Sequence, residues 1–188
     1  GVSPLITINT VSGDDIINAI EHGQALVVSG TSTGAAAGDV VTVNLNGKNY
    51  TTTLDASGNW SVGVPAADVT ALGSGAQTIT ASVSDRAGNS DDASRTVTVS
   101  LSAPAIGINT IAGDDVINAT EKGSNLALSG TSDQPAGTAI TVTLNGQNYS
   151  ATTDASGNWS VTVPASAVSA LGEATYSVTA SVTNAQGN

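Results

Sequence analysis

The sequence predicts an all-β chain made of two tandem Greek-key β-sandwiches, and three observations carry that reading. The first is a self-repeat. Asn9 to Gly23 (NTVSGDDIINAIEHG) returns as Asn109 to Gly123 (NTIAGDDVINATEKG), so Asp14 recurs as Asp114 at an offset of 100 and Trp60 as Trp159 at an offset of 99. A repeat of that period is a duplicated domain, too long for a solenoid unit. The second is composition: Thr, Val, Ala, Ser and Gly dominate, Phe and Met are absent, and Thr and Val favour strands while Gly and Asn favour turns. The third is alternation, as in Val41, Val43 and Leu45 or Trp60, Val62 and Val64, which buries one face of a strand. Seven short strands in the first copy, closely spaced by turns, make a sandwich. The expected domains are 1–102 and 103–188, each large enough for its own core.

Taken in order, Pro4 to Ile8 is a first strand, where a proline at the start of a strand is tolerated. In the acidic stretch that follows, Ile16, Ile17 and Ile20 are spaced for a helical turn, with Gly23 as its stop. Ala25 to Gly30 is the second strand, and Thr31 to Gly38 is a loop of small residues. Asn46-Gly47 is a hairpin turn between strands 41–45 and 50–54. Asp55 to Asn59 turns again, ahead of the strand that begins at Trp60. Pro65 to Leu72 is a short helix or crossover, since proline suits a first helical position. Thr78 to Ser84 is a strand, Ser84 to Ser94 a polar loop holding Asp91 and Asp92, and Thr96 to Leu101 the last strand. The second copy follows the same course from Ala105 but stops at Asn188, before its last strand. Gly1 starts no signal peptide, and the chain reads as an excerpt from a longer one.

Charge narrows the function classes. The net charge is −11, with Lys48, Lys122, Arg86 and Arg95 as the only basic residues. No basic patch for nucleic acid can be assembled, and anionic membrane surfaces repel such a chain. There is no cysteine, so neither a disulfide nor a thiolate zinc site is available. No apolar run reaches spanning length, so no direct membrane insertion is expected.

One place in each copy crowds oxygen ligands. With two helical turns over 14–21, Asp14, Asn18 and Glu21 share a face, with Asp15 beside them. A set of carboxylate and amide oxygens without sulfur or imidazole suits a hard cation, and Ca2+ accepts irregular oxygen shells. The candidate ligands are Asp14, Asp15, Asn18 and Glu21, with Asp114, Asp115, Asn118 and Glu121. The match to an EF-hand loop fails, because Thr10 and Ser12 stand where acids belong. The competing reading is a capped helix start, with Ser12 and Asp15 as a capping box, but it leaves Asn118 and Glu121 without a task. His22 becomes Lys122 in the second copy, which points to a surface position. Trp60 and Trp159 sit in alternating strands and belong to the core. Lys48 becomes Gln147, which rules out a duplicated lysine cross-link, and no nucleophile–base pair is visible.

The motifs G-D-D-[IV]-I-N-x-x-E, S-G-T-S, the Asn-Gly hairpin, D-A-S-G-N-W-S-V-x-V-P-A and A-L-G together resemble bacterial Ig-like repeats, more narrowly those of biofilm-associated and giant non-fimbrial adhesins of Gram-negative bacteria. The resemblance covers the whole chain. It implies a non-enzymatic, monomeric stalk segment of a type I-secreted adhesin at the bacterial cell surface, serving cell adhesion and biofilm formation. The implied partners are neighbouring repeats of the same chain, with host or biofilm matrix bound through other parts of the parent protein. It also implies calcium near domain junctions, stiffening a rod in which each sandwich adds about 40 Å. By that match, Asp14, Asp15, Asn18 and Glu21 face the second domain and their copies a third. One departure stands out: Leu101-Ser102-Ala103-Pro104 lacks the aspartate common in such linkers. The alternative function is an adhesive module that binds a glycan or a host protein.

Overall fold

Alternating side chains give each strand one apolar face, and those faces need an opposing layer. The computed structural model describes residues 3–188. They group into two units, one ending at Ser102 and the other running from Ala103 to Gly187.

The first unit contains β1 (Leu5–Ile8), β2 (Ile16–Ile17), β3 (Leu26–Thr33), β4 (Val40–Leu45), β5 (Lys48–Thr53), β6 (Asn59–Val64), α1 (Ala66–Thr70), β7 (Gly75–Ser84) and β8 (Ser90–Val99). One sheet runs β1-β3-β6 and the other β2-β8-β7-β4-β5. The pairings are antiparallel except β2 with β8, which is parallel. Val28 from one sheet and Val41, Val43, Leu45 and Ile79 from the other fill the space between them, each at most 1 % exposed. Trp60 is 2 % exposed, as its place in an alternating strand predicts. Asn46 and Gly47 both take positive φ, 54° and 78°, the backbone that a two-residue hairpin requires.

The second unit contains β9 (Ile106–Ile108), β10 (Leu126–Ser132), β11 (Ala139–Leu144), β12 (Gln147–Thr152), β13 (Asn158–Val163), α2 (Ala165–Ser169) and β14 (Val178–Ser181). Its sheets run β13-β10-β9 and β12-β11-β14. Leu128, Ile140, Val142 and Val163 are fully buried, and Trp159 again lies in the core at 2 %. Among its described residues no strand follows β14, and Val116-Ile117 forms no counterpart of β2.

Three sequence expectations need correcting. The expected helix over 14–21 is absent: Ile16–Ile17 is a strand, and only Glu21–Gly23 turns, as a 3₁₀ helix. Asp15 at φ 59° breaks any helix there, and β8 offers Ile16 and Ile17 a pairing partner. Ile17 is therefore fully buried, while Ile20 is 67 % exposed and faces water, not the sandwich. The small-residue loop begins later than expected, because β3 continues through Thr33 beside β1. The polar loop 84–94 shrinks to the Asp85–Asn89 turn. There the Asp85 carboxylate accepts the Asn89 backbone N–H at 2.9 Å, and β8 pairs with β7 from Ser90 onward. Asp91 and Asp92 are strand residues. Polar side chains on both faces of this stretch hid its β character.

Candidate functional site

The acidic loop links β1 to β3, and its chain reverses at Ser12 and Gly13, both at positive φ. The eight candidate ligands mostly serve the backbone of their own loop. Asp14 Oδ1 accepts the Ile16 N–H at 3.0 Å, closing a small side-chain turn. Asp15 Oδ1 accepts the Val11 N–H at 2.8 Å. Asn18 Oδ1 accepts the Glu21 N–H at 3.0 Å, and Glu21 Oε1 accepts the Asn18 N–H at 3.1 Å. That reciprocal pair is a capping box with asparagine at its first position, six residues on from the Ser12 start expected. It starts the 3₁₀ turn at Glu21–Gly23.

The second unit repeats each bond. Asp114 Oδ1 takes the Val116 N–H, Asp115 Oδ1 the Ile111 N–H, and Asn118 and Glu121 form the same box at 2.9 Å in both directions. Asn118 and Glu121 therefore have a task without any ion. Ser12, and Ala112 in its place, cap nothing, which explains why the second copy can lack the hydroxyl.

Arg95, on β8, is the residue that sequence reading missed. Its Nε and Nη2 donate to both carboxylate oxygens of Asp15, at 2.7–3.0 Å. Nη1 donates to the Ile8 carbonyl at 3.0 Å and Nη2 to Thr10 Oγ1 at 3.1 Å. The guanidinium fork matches a carboxylate edge-on, and such pairs are the strong ones. Its hydrogen bonds hold the Asp15 carboxyl below the usual carboxylate range, against a smaller opposing effect of burial. The signal was present in the sequence: Arg95 is one of only four cations in a chain with 15 acids.

The fit to calcium follows from this placement. Among the described residues no three carboxylate, imidazole or thiolate groups converge. Asp15 is matched by a guanidinium, and Asp14 and Glu21 each commit one oxygen to a backbone N–H. The residues do not form a closed carboxylate cage. They leave only outward carboxylate oxygens, whose ion shell water would have to complete.

Other expected positions resolve simply. His22 Nε2 lies 2.8 Å from the Leu72 carbonyl, and Thr70 Oγ1 donates to the His22 carbonyl, tying the 3₁₀ turn to α1. Ser169 and Lys122 repeat the second bond. Lys48 pairs with Asp68 at 2.9 Å, with a side chain 64 % exposed. Asp55 and Asp154 each accept two backbone N–H groups of their turns. No helix among the described residues is long and apolar enough to cross a membrane.

Comparison with known proteins agrees with this architecture. The family described as bacterial Ig-like domain matches residues 7–101. The structure of a Ca2+-stabilized adhesin, with which an Antarctic bacterium reaches out and binds ice, is 38 % identical over 100 % of this chain, with a TM-score of 0.66. A structure from work on host cell surface retention of a 1.5-MDa bacterial ice-binding adhesin is 36 % identical over 98 % of it, with a TM-score of 0.65. The chain spans 47 % and 60 % of the length of those two chains. The fibronectin(III)-like modules of Clostridium thermocellum CbhA, at 12 % identity and a TM-score of 0.50, share the fold alone. No curated protein sequence matches.

Proposed function

Because the chain belongs to the bacterial Ig-like domain family, we propose that it is a non-enzymatic stalk segment of a secreted, surface-attached bacterial adhesin. In this reading it is exported by type I secretion and serves cell adhesion and biofilm formation by holding an adhesive region away from the cell. The observation that carries the reading is the likeness to two bacterial adhesins at 36–38 % identity over essentially the whole chain. The side chains support it. The polar groups of the acidic loop fasten the fold, where an enzyme would hold them free for substrate. Both tryptophans are buried, which removes the flat aromatic surface that sugar stacking needs.

Calcium is proposed as an external stabiliser of this segment, in line with the adhesin named as Ca2+-stabilized. Asp14, Asp15, Asn18, Glu21, Asp114, Asp115, Asn118 and Glu121 are the residues it would meet. Bound there, it would offset part of the negative charge that Asp14 and Glu21, and their copies Asp114 and Glu121, bring to each loop. Extracellular sites of this open kind work at about 10⁻⁴ to 10⁻³ M. The test pairs two measurements on the isolated chain. Its melting temperature should rise when calcium replaces chelator, and arrays of glycans and matrix proteins should show no saturable binding. An unchanged melt removes calcium from the proposal. Saturable binding replaces the stalk reading with that of an adhesive module.

A further inference from the structure

β1 and β8 belong to different sheets, yet two β8 side chains, Asp91 and Arg95, join them. The Asp91 carboxylate accepts the Ile6 N–H at 2.9 Å. Four residues on, Arg95 holds the Ile8 carbonyl, Thr10 and Asp15. Then the backbone takes over, with Thr98 N–H to the Asp15 carbonyl at 2.9 Å and Ser100 N–H to the Ile17 carbonyl at 3.0 Å. The partners advance together, 6 with 91, 8 with 95, 15 with 98 and 17 with 100. The result is one parallel seam between the first segment of the unit and its last strand. Only its upper end is β-pairing, and that covers two residue pairs.

A parallel seam between first and last segments has a mechanical meaning. Tension on a stalk enters a unit before its first strand and leaves after its last. Parallel neighbours are then pulled in opposite directions along their common axis. Every bond across the seam is sheared at once, whereas an antiparallel hairpin pulled from its open end unzips one bond at a time. From this geometry we infer that the β1–β8 seam is the mechanical clamp of the first unit, with Arg95 as its rivet and Asp91 and Asp15 as its anchors. Arg95 suits that part because its fork grips a carboxylate and a carbonyl from several directions. Two backbone bonds alone would make a thin seam. The inference deepens the stalk reading and rests on it for the source of tension, but its test does not.

The whole chain is stretched from its two ends in magnetic tweezers at constant load, where the two units release different lengths of chain. Arg95→Gln is expected to raise the unfolding rate of the first unit about ten- to a hundredfold, the factor that loss of a charged hydrogen bond makes in a rate, and Arg95→Lys to recover part of it. Val28→Ala, a core truncation away from the seam, serves as control. It should speed unfolding in denaturant at least as much as Arg95→Gln does, and unfolding under load far less. Should Arg95→Gln fold poorly, Asp15→Asn weakens the same grip while keeping its shape, with the same expected direction. Equal rates under load for wild type and the seam variants would overturn the inference, as would a Val28→Ala effect under load as large as theirs. Either result would leave the stalk reading standing on its own tests.

Discussion

Gly30 on β3 sits directly beneath the Trp60 indole. A Cβ at Gly30 would lie 2.6 Å from the ring carbon Cζ2 of Trp60 and would also run into the Thr7 carbonyl. Gly130 stands in the same relation to Trp159, with the corresponding distance 2.5 Å. The missing side chain makes room for the largest residue in each core. Gly30→Ala should therefore lower the stability of the first unit by about 1–3 kcal/mol or more, as overpacking does. Calorimetry would show its transition shifted down by about 4–8 °C per kcal/mol. A melt matching that of the wild type would mean the indole has another seat.

The Asn18–Glu21 box predicts a pattern across four variants. Asn18→Ala and Glu21→Ala should each cost about 1 kcal/mol, as lost caps do. The double variant should cost less than their sum, because both break one reciprocal unit. Glu21→Gln keeps an acceptor and should stay close to wild type in chelator. Any part of the calcium response that needs the Glu21 charge should vanish in that variant. Denaturant midpoints with and without calcium separate the two roles.

Acid should unlock Asp15. Its folded pKa is lowered, so its contribution is complete above the unfolded value of about 3.9 and is lost as pH falls through the folded one. Arg95→Gln removes the largest cause of that depression, leaving the Val11 N–H in place. The variant should lose less stability than wild type across the acid limb below about pH 4, starting from a lower plateau at neutrality. Parallel acid limbs in the two proteins would show that the pairing carries no such linkage.

Tyr50 predicts the opposite limb. Burial, and then its hydrogen bond to Asp68 at 2.7 Å, push its phenol up to about 12. The folded state therefore holds this proton longer than the unfolded chain does. The associated stability is complete below about pH 10 and is lost as pH rises towards 12. In Asp68→Ala the ultraviolet phenolate signal of Tyr50 should move to lower pH, though not all the way to the ordinary value, because burial remains. An unmoved titration would show that Asp68 has no share in the shift.

The duplication, the sandwich class and the buried tryptophans were legible because period and alternation are local signals that the core enforces. The acidic loop was legible in place but not in form. Isoleucines at 16, 17 and 20 imitate a helical spacing, and only the long-range partner β8 turns Ile16–Ile17 into a strand. Asn18 and Glu21 do lie together, as each other's backbone partners and not on the helical face expected of them. Their bonds to each other's backbone could not be read without knowing where the 3₁₀ turn begins. The pairing of Arg95 with Asp15 could not be read because 80 residues separate them and the half of β8 up to Ser94, just ahead of Arg95, reads as a polar loop.

The most direct test of the central claim is an exchange in the adhesin to which the proposal assigns this segment. Residues 1–188 are either deleted or replaced by an unrelated pair of sandwiches of similar length, and surface attachment and biofilm mass are measured. A stalk segment predicts that deletion weakens attachment and that the unrelated pair restores it, because reach and stiffness are what the segment supplies. A replacement that fails as completely as the deletion would contradict the account and assign recognition to these two units themselves.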